Sequence, residues 1–220
     1  MSEPAGRGQG HTIGRVPDTD DLTRLAAAPP ARVARLVAGA LTPANVVLAL
    51  TAYLCARHAS GTGEAVRWWL VVAVLVVAAP YALLFWALRT GRVGDRQVVR
   101  RSQRPWLLGL VAICVAGAVV WLWLGGAPPA LAVTITAVLT GVVVVALLSV
   151  RWKVSAHTAT YAAAVTVLGF EQPALAAVLA LGIPLVGWAR VRAGRHSLGQ
   201  VLGGAAVGIL VAAVVVGALD

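Results

Sequence analysis

Charge is scarce in this chain: 12% of its 220 residues are Asp, Glu, Lys or Arg, where an ordinary soluble domain carries about 25%. That shortage excludes a water-soluble globule, because 60% of the residues are hydrophobic and too few polar side chains remain to cover them. Cysteine is almost absent, with 2 residues. Cys55 and Cys114 both lie within apolar runs, where cysteine behaves as a small hydrophobe, so neither a disulfide framework nor a metal-ligand spacing is available. Acids are outnumbered 8 to 18 by bases, and every base except Lys153 is an arginine. Nucleic-acid binding would need those bases on one soluble face. Instead they fall between apolar runs, as topology anchors or ligands for an anionic headgroup would.

What the chain has in quantity is uninterrupted apolar length. A hydrocarbon core of about 30 Å is crossed by roughly 20 helical residues, and the runs at 37–56, 68–88, 106–124, 130–150, 173–189 and 198–219 approach or meet that length. A shorter run occupies 156–169. The expected fold is therefore all-α, a polytopic transmembrane helical bundle of six to seven spans. Residues 35–220 form that domain. Residues 1–34, rich in Gly, Pro and mixed charge, are expected to be a disordered cytoplasmic tail and not a cleaved signal peptide.

Turn-forming Gly and Pro residues at 61–64, 125–129 and 170–173 separate the runs, and tryptophans such as Trp68, Trp106, Trp123, Trp152 and Trp188 mark their ends. Three connections are strongly basic: 89–104, 151–153 and 190–195. Two spans separate each from the next, so all three share one face, and the positive-inside rule makes that face and the N-terminus cytoplasmic in a cell membrane.

His157 and His196 each open an apolar helix directly after a basic loop. Taken singly, either is an interfacial histidine held by a nearby carbonyl. Taken together, they meet three cationic loops on one face, and ionisable groups at membrane depth need a partner or ligand. Arginine forks and helix N-termini suit phosphate oxygens. One imidazole can attack phosphorus while the other protonates the leaving oxygen. That chemistry calls on no cofactor and no obligatory metal.

The stretches QVVRRSQRP (97–105), VSAH (154–157) and ARVRAGRHSLGQ (189–200) resemble, in order and spacing, the three motifs of the type 2 phosphatidic acid phosphatase family of membrane lipid phosphatases. The family pattern is Lys-x6-Arg-Pro, Pro-Ser-Gly-His and Ser-Arg-x5-His-x3-Asp. The resemblance implies His196 as nucleophile, forming a phosphohistidine, and His157 as general acid. It also implies Arg104 and Arg190 as phosphate ligands, with Ser155 and the N–H of Ala156 adding hydrogen bonds. Gln97 stands where the family has lysine, Val154 and Ala156 where it has Pro and Gly, Ala189 where it has Ser, and Gln200 where it has aspartate. Arg100 or Arg101, a helical turn before Arg104, offsets the missing lysine or is a plain topology anchor. Position 200 lies one turn after His196, where a carboxylate would hold the imidazole tautomer. Asp95 either supplies that charge or pairs at the surface with Arg92 or Arg96.

The implied function is hydrolysis of a lipid phosphate monoester or diphosphate: a polyprenyl phosphate, a polyprenyl-linked sugar phosphate or phosphatidate. The alternatives are a catalytically weakened lipid-phosphate binding or scaffold protein, which Gln97 and Gln200 favour, and a small transporter. Against the last stand the absence of duplicated halves and the confinement of charge to loops. The expected partners are the lipid phosphate and the bilayer, with no nucleic acid.

Overall fold

The computed structural model describes residues 29–91 and 104–219, with side chains from 32 and from 107 onward in the two stretches. Among the described residues the only regular structure is helical. The first two helices, α1 (Pro29–Ala40) and α2 (Pro43–His58), meet at a 45° bend. Pro43 explains the break. It holds Thr42 extended, at φ −67° and ψ 153°, and Thr42 Oγ1 then caps α2 by accepting from the Asn45 N–H at 3.3 Å. The run at 37–56, expected as one span, is thus divided. Helix also begins at Pro29, inside the stretch expected as a disordered tail, whose residues 1–28 lie outside the described ones.

α3 (Thr62–Arg89) contains a π-helical turn at Ala73–Ala78, just ahead of Pro80, whose ring would clash with a carbonyl in a regular α-helix. α4 (Arg104–Leu124) and α5 (Pro129–Ser149) form an antiparallel hairpin. Pro129 starts α5, Gly126 turns the chain at φ +71°, and Trp123 Nε1 donates to Thr136 Oγ1 at 3.2 Å. α6 (Ala156–Glu171) is followed by α7 (Pro173–Arg192), interrupted at Leu181 ahead of Pro184, and by α8 (Leu198–Leu219). The Tyr161 hydroxyl donates to the Leu179 carbonyl beside that interruption at 3.1 Å.

Five of these helices, α3, α4, α5, α7 and α8, are long and apolar enough to cross a membrane, and the bent pair α1–α2 makes a sixth if it is one span. α6 is helical where the short span was expected, but its 16 residues fall below that length. Outward surfaces are apolar: Ile113 and Leu147 are each 69% exposed and Val214 67%. Such surfaces suit lipid and not water, so the chain is a multi-pass membrane protein.

One apolar cluster joins α2, α6 and α8 through Leu50, Leu54, Val167, Ala212 and Val216. A second joins α3, α4 and α5 through Trp68, Val72, Val115, Leu122 and Ile135. α6 and α8 run parallel and approach closely. A Cβ at Gly208 would overlap the Ala159 carbonyl oxygen, and one at Gly204 would lie 2.5 Å from that of Ser155. Only glycine at both positions lets the two backbones meet this way. The ends of the bundle are chemically distinct. Both carboxylates among the described residues, Glu64 and Glu171, lie at the end bearing the 59–61 loop, where Glu171 meets His58 Nε2 at 2.8 Å and Glu64 accepts from the Ser60 N–H at 2.8 Å. The opposite end carries Arg89, Arg151, Lys153, Arg190, Arg192 and Arg195.

Candidate functional site

His196 is fixed by a short run of local rules. α7 ends in a Schellman turn: Gly194, at φ +65°, donates to the Val191 carbonyl at 2.9 Å, and Arg195 donates to that of Arg190 at 3.1 Å. Two residues later α8 opens with a capping box. Ser197 Oγ accepts from the Gln200 N–H at 3.4 Å while Gln200 Oε1 accepts from the Ser197 N–H at 3.2 Å. His196 is the residue between turn and cap, so both helices dictate its position.

His157 arrives from the neighbouring helix. Ser155 caps α6, its Oγ accepting from the Thr158 N–H at 3.5 Å, and its own N–H donates to the Gln200 carbonyl at 3.1 Å. That backbone bond, with the glycine contact below it, brings the first turn of α6 against the first turn of α8. His157, Arg190 and His196 thereby come within electrostatic reach of one another. Two parallel helices direct the positive ends of their dipoles at the same place.

Two polar atoms here are buried without a hydrogen-bond partner: Arg190 Nε and His196 Nδ1. Burial of the imidazole, then the charges of Lys153 and Arg190, push His196 down to about 4. The Gln200 side chain and the Lys153 backbone lie beside the ring and pull the other way, without placing a partner at Nδ1. At neutral pH the ring is therefore uncharged, with a lone pair available. Lys153, which the sequence showed only as part of a basic loop, joins the site. Its Nζ donates to the Arg195 carbonyl at 2.8 Å, tying the 151–153 loop to the turn that precedes His196.

Of the residues singled out from the sequence, His157, Arg190, His196, Gln200, Ser155 and Ala156 are brought together. Ser155 is fully buried and its hydroxyl serves the helix cap, whereas Ala156 is exposed at the helix start. Gln200 Oε1 is engaged in the capping box and is not free to act solely on His196. Arg104 opens α4 at the same end of the bundle, its side chain outside the described ones. Gln97, Arg100, Arg101 and Asp95 lie outside the described residues. Among the described residues no three His, Cys, Asp or Glu side chains are grouped to hold a metal ion. What the arrangement offers is a cluster of cationic side chains around a neutral imidazole, suited to an oxyanion.

No family model, no curated protein and no solved structure matches this chain.

Proposed function

We propose that this protein is a membrane phosphatase that hydrolyses a lipid phosphate monoester or diphosphate through a phosphohistidine on His196. The observation that carries this reading is the pairing of a buried, unpartnered Arg190 Nε with a neutral, unpartnered His196 Nδ1 at the joined N-termini of α6 and α8. Arg190 and the N–H groups of Ala156 and His157, which precede the capped Thr158, would hold the phosphate oxygens. Arg104 would add a second guanidinium from α4.

In the first step a His196 nitrogen attacks phosphorus and the bond from phosphorus to the ester oxygen breaks. The leaving oxygen takes a proton from His157. Water then attacks the phosphohistidine, giving its proton to His157, and inorganic phosphate leaves with the imidazole restored. The incoming phosphate dianion favours proton uptake at His157, which readies it as the acid. Substrates are a polyprenyl phosphate, a polyprenyl-linked sugar phosphate or phosphatidate.

A full seven-span topology supports a single site face. α6 would count as a span because it lies parallel to α8, starting with Ser155 beside Gln200 and ending with Leu168 in one cluster with Val216. The basic loops then share the cytoplasmic face of the cell membrane, with the N-terminus.

One observation favours the second reading, a catalytically weakened lipid-phosphate binding protein. Gln200 stands where the family it resembles has aspartate, its Oε1 is used in the α8 cap, and no described carboxylate lies at this end. Phosphate release from a panel of lipid phosphates by the purified protein in detergent, with His196→Ala as control, decides between them. Release that disappears in His196→Ala supports hydrolysis. Binding without release leaves the weakened binder.

A further inference from the structure

An apolar groove starts at Ala156, beside the candidate site, and descends into the bundle between α2, α4, α5, α6 and α8. Its upper rim is formed by Ala156, the neighbour of His157, by Leu108, one helical turn beyond Arg104, and by Val145 near the end of α5. Gly141 widens it in the middle, and its lower end is reached at Val167 and Val211. From Ala156 to Val167 the groove follows α6 for roughly 16 Å at the rise of an α-helix. That is about half of a 30 Å hydrocarbon core, the depth to which a lipid in one leaflet extends its chain.

We propose that this groove holds one hydrocarbon chain of the lipid whose phosphate sits between Arg190 and His196, an assignment that rests on the reading of that site as a lipid-phosphate site. Two properties select this occupant. Ala156 on the groove's rim is the chain neighbour of His157 in the cationic cluster, so one amphiphile with an anionic head and an apolar tail reaches both at once. Its walls are aliphatic apart from the threonines Thr134 and Thr160. An inserted peptide would bring backbone N–H and C=O groups that such walls cannot satisfy, whereas a hydrocarbon chain brings none. Recognition of the chain then sets selectivity: lipid phosphates that extend a long chain from the head are taken, and short phosphate esters lose the contribution of the groove.

Gly141 supplies the blocking variant, since a Cβ there meets nothing within 4 Å and a larger side chain projects into open space. The experiment uses the full-length protein in nanodiscs and a single-chain alkyl phosphate carrying a diazirine in its chain. After irradiation, label is expected on peptides from α5, α6 and α8, reduced about tenfold or more in Gly141→Leu, equivalent to about 1.4 kcal/mol, and less in Gly141→Ala. The ratio of long-chain to short-chain phosphate ester turnover should fall in the same order. Label confined to the outer faces of α3 and α4, or undiminished in Gly141→Leu, overturns the proposal. The map on the unsubstituted protein stands whether or not the variant folds. Because labelling is read without turnover, groove labelling with no phosphate release refutes hydrolysis alone, and phosphate release with labelling elsewhere refutes the groove alone.

Discussion

The main-chain N–H of Ser155 donates to the carbonyl of Gln200 at 3.1 Å. This bond joins the residue that caps α6 to the third residue of α8, and so ties His157 to His196 through backbone instead of through side chains. A site held in this way depends on how closely the two helices approach.

Gly208 tests that dependence. Gly208→Val would force a side chain into the Ala159 carbonyl, and the overpacking should cost about 1–3 kcal/mol and separate the two histidines. Unfolding in detergent and phosphate release should both register the loss. Gly117→Ala, where nothing lies within 4 Å, should be neutral. Equal behaviour of the two variants would show that the α6–α8 contact does not organise the site.

The histidines should divide by leaving group. His196→Ala should abolish phosphate release while the protein remains folded. His157→Ala should slow alkyl phosphates by about 10²–10⁴-fold, the usual worth of a general acid, and slow aryl phosphates with good leaving groups much less. A loss independent of leaving group would remove His157 from the acid role.

The depressed His196 gives a pH prediction whose sign is fixed. Folding holds this imidazole at about 4 against an ordinary 6.5, so between those values the unfolded chain binds a proton that the folded one does not. Stability contributed by this group is complete above the unfolded value and declines as pH falls through the window. If the free imidazole is the nucleophile, as proposed, the acidic limb that His196 sets on kcat/KM should lie near 4 and not near 6.5. Gln200→Glu keeps the capping-box geometry and adds charge beside the ring, which should move that acidic limb upward. A kcat/KM limb near 6.5 in the unsubstituted protein would contradict the buried, cation-flanked setting.

Asp95 is the remaining candidate for the missing charge. If it serves His196, Asp95→Asn should lower turnover by orders of magnitude, and Gln200→Asp added to it should restore part of the loss. A surface salt bridge is worth about 0–1 kcal/mol, so near-normal turnover in Asp95→Asn assigns it to Arg92 or Arg96.

Sidedness is open to cysteine labelling. In a background of Cys55→Ala and Cys114→Ala, Gly94→Cys should react from the cytoplasm and Gly61→Cys from the other side. Gly61 tolerates the change, with extended backbone and no atom within 4 Å of an added Cβ. Reaction of Gly94→Cys from outside intact cells would reverse the topology.

Much of the bundle was legible because apolar runs bounded by Gly and Pro leave helices few alternatives. The placement of His157 and His196 at one end also followed from the sequence, since each comes directly after a basic loop. The divided first run was harder: Pro43 is tolerated in the first turn of a helix, and only the extended Thr42 shows that a new helix starts there. Gln200 stands where the resemblance expects a carboxylate, yet Ser197-Leu198-Gly199-Gln200 is itself a capping-box pattern, and the cap is what forms. Lys153 is legible only as part of a basic loop, because its role is the carbonyl of Arg195, a contact made across the two loops that no spacing along the chain encodes.

The brevity of α6 has a consequence for the surrounding lipid. Its 16 residues rise roughly 24 Å, short of the 30 Å or so of a typical hydrocarbon core. Counted as the span proposed above, such a helix is matched by local thinning of the bilayer, and His157 stands at its first turn. The headgroup plane would then bend down to His157 and His196, sparing a lipid phosphate the climb out of its leaflet. Membrane thickness would then be a control on the proposed activity: short-chain bilayers should favour capture of a lipid phosphate, and thick, ordered ones should hold it out of reach.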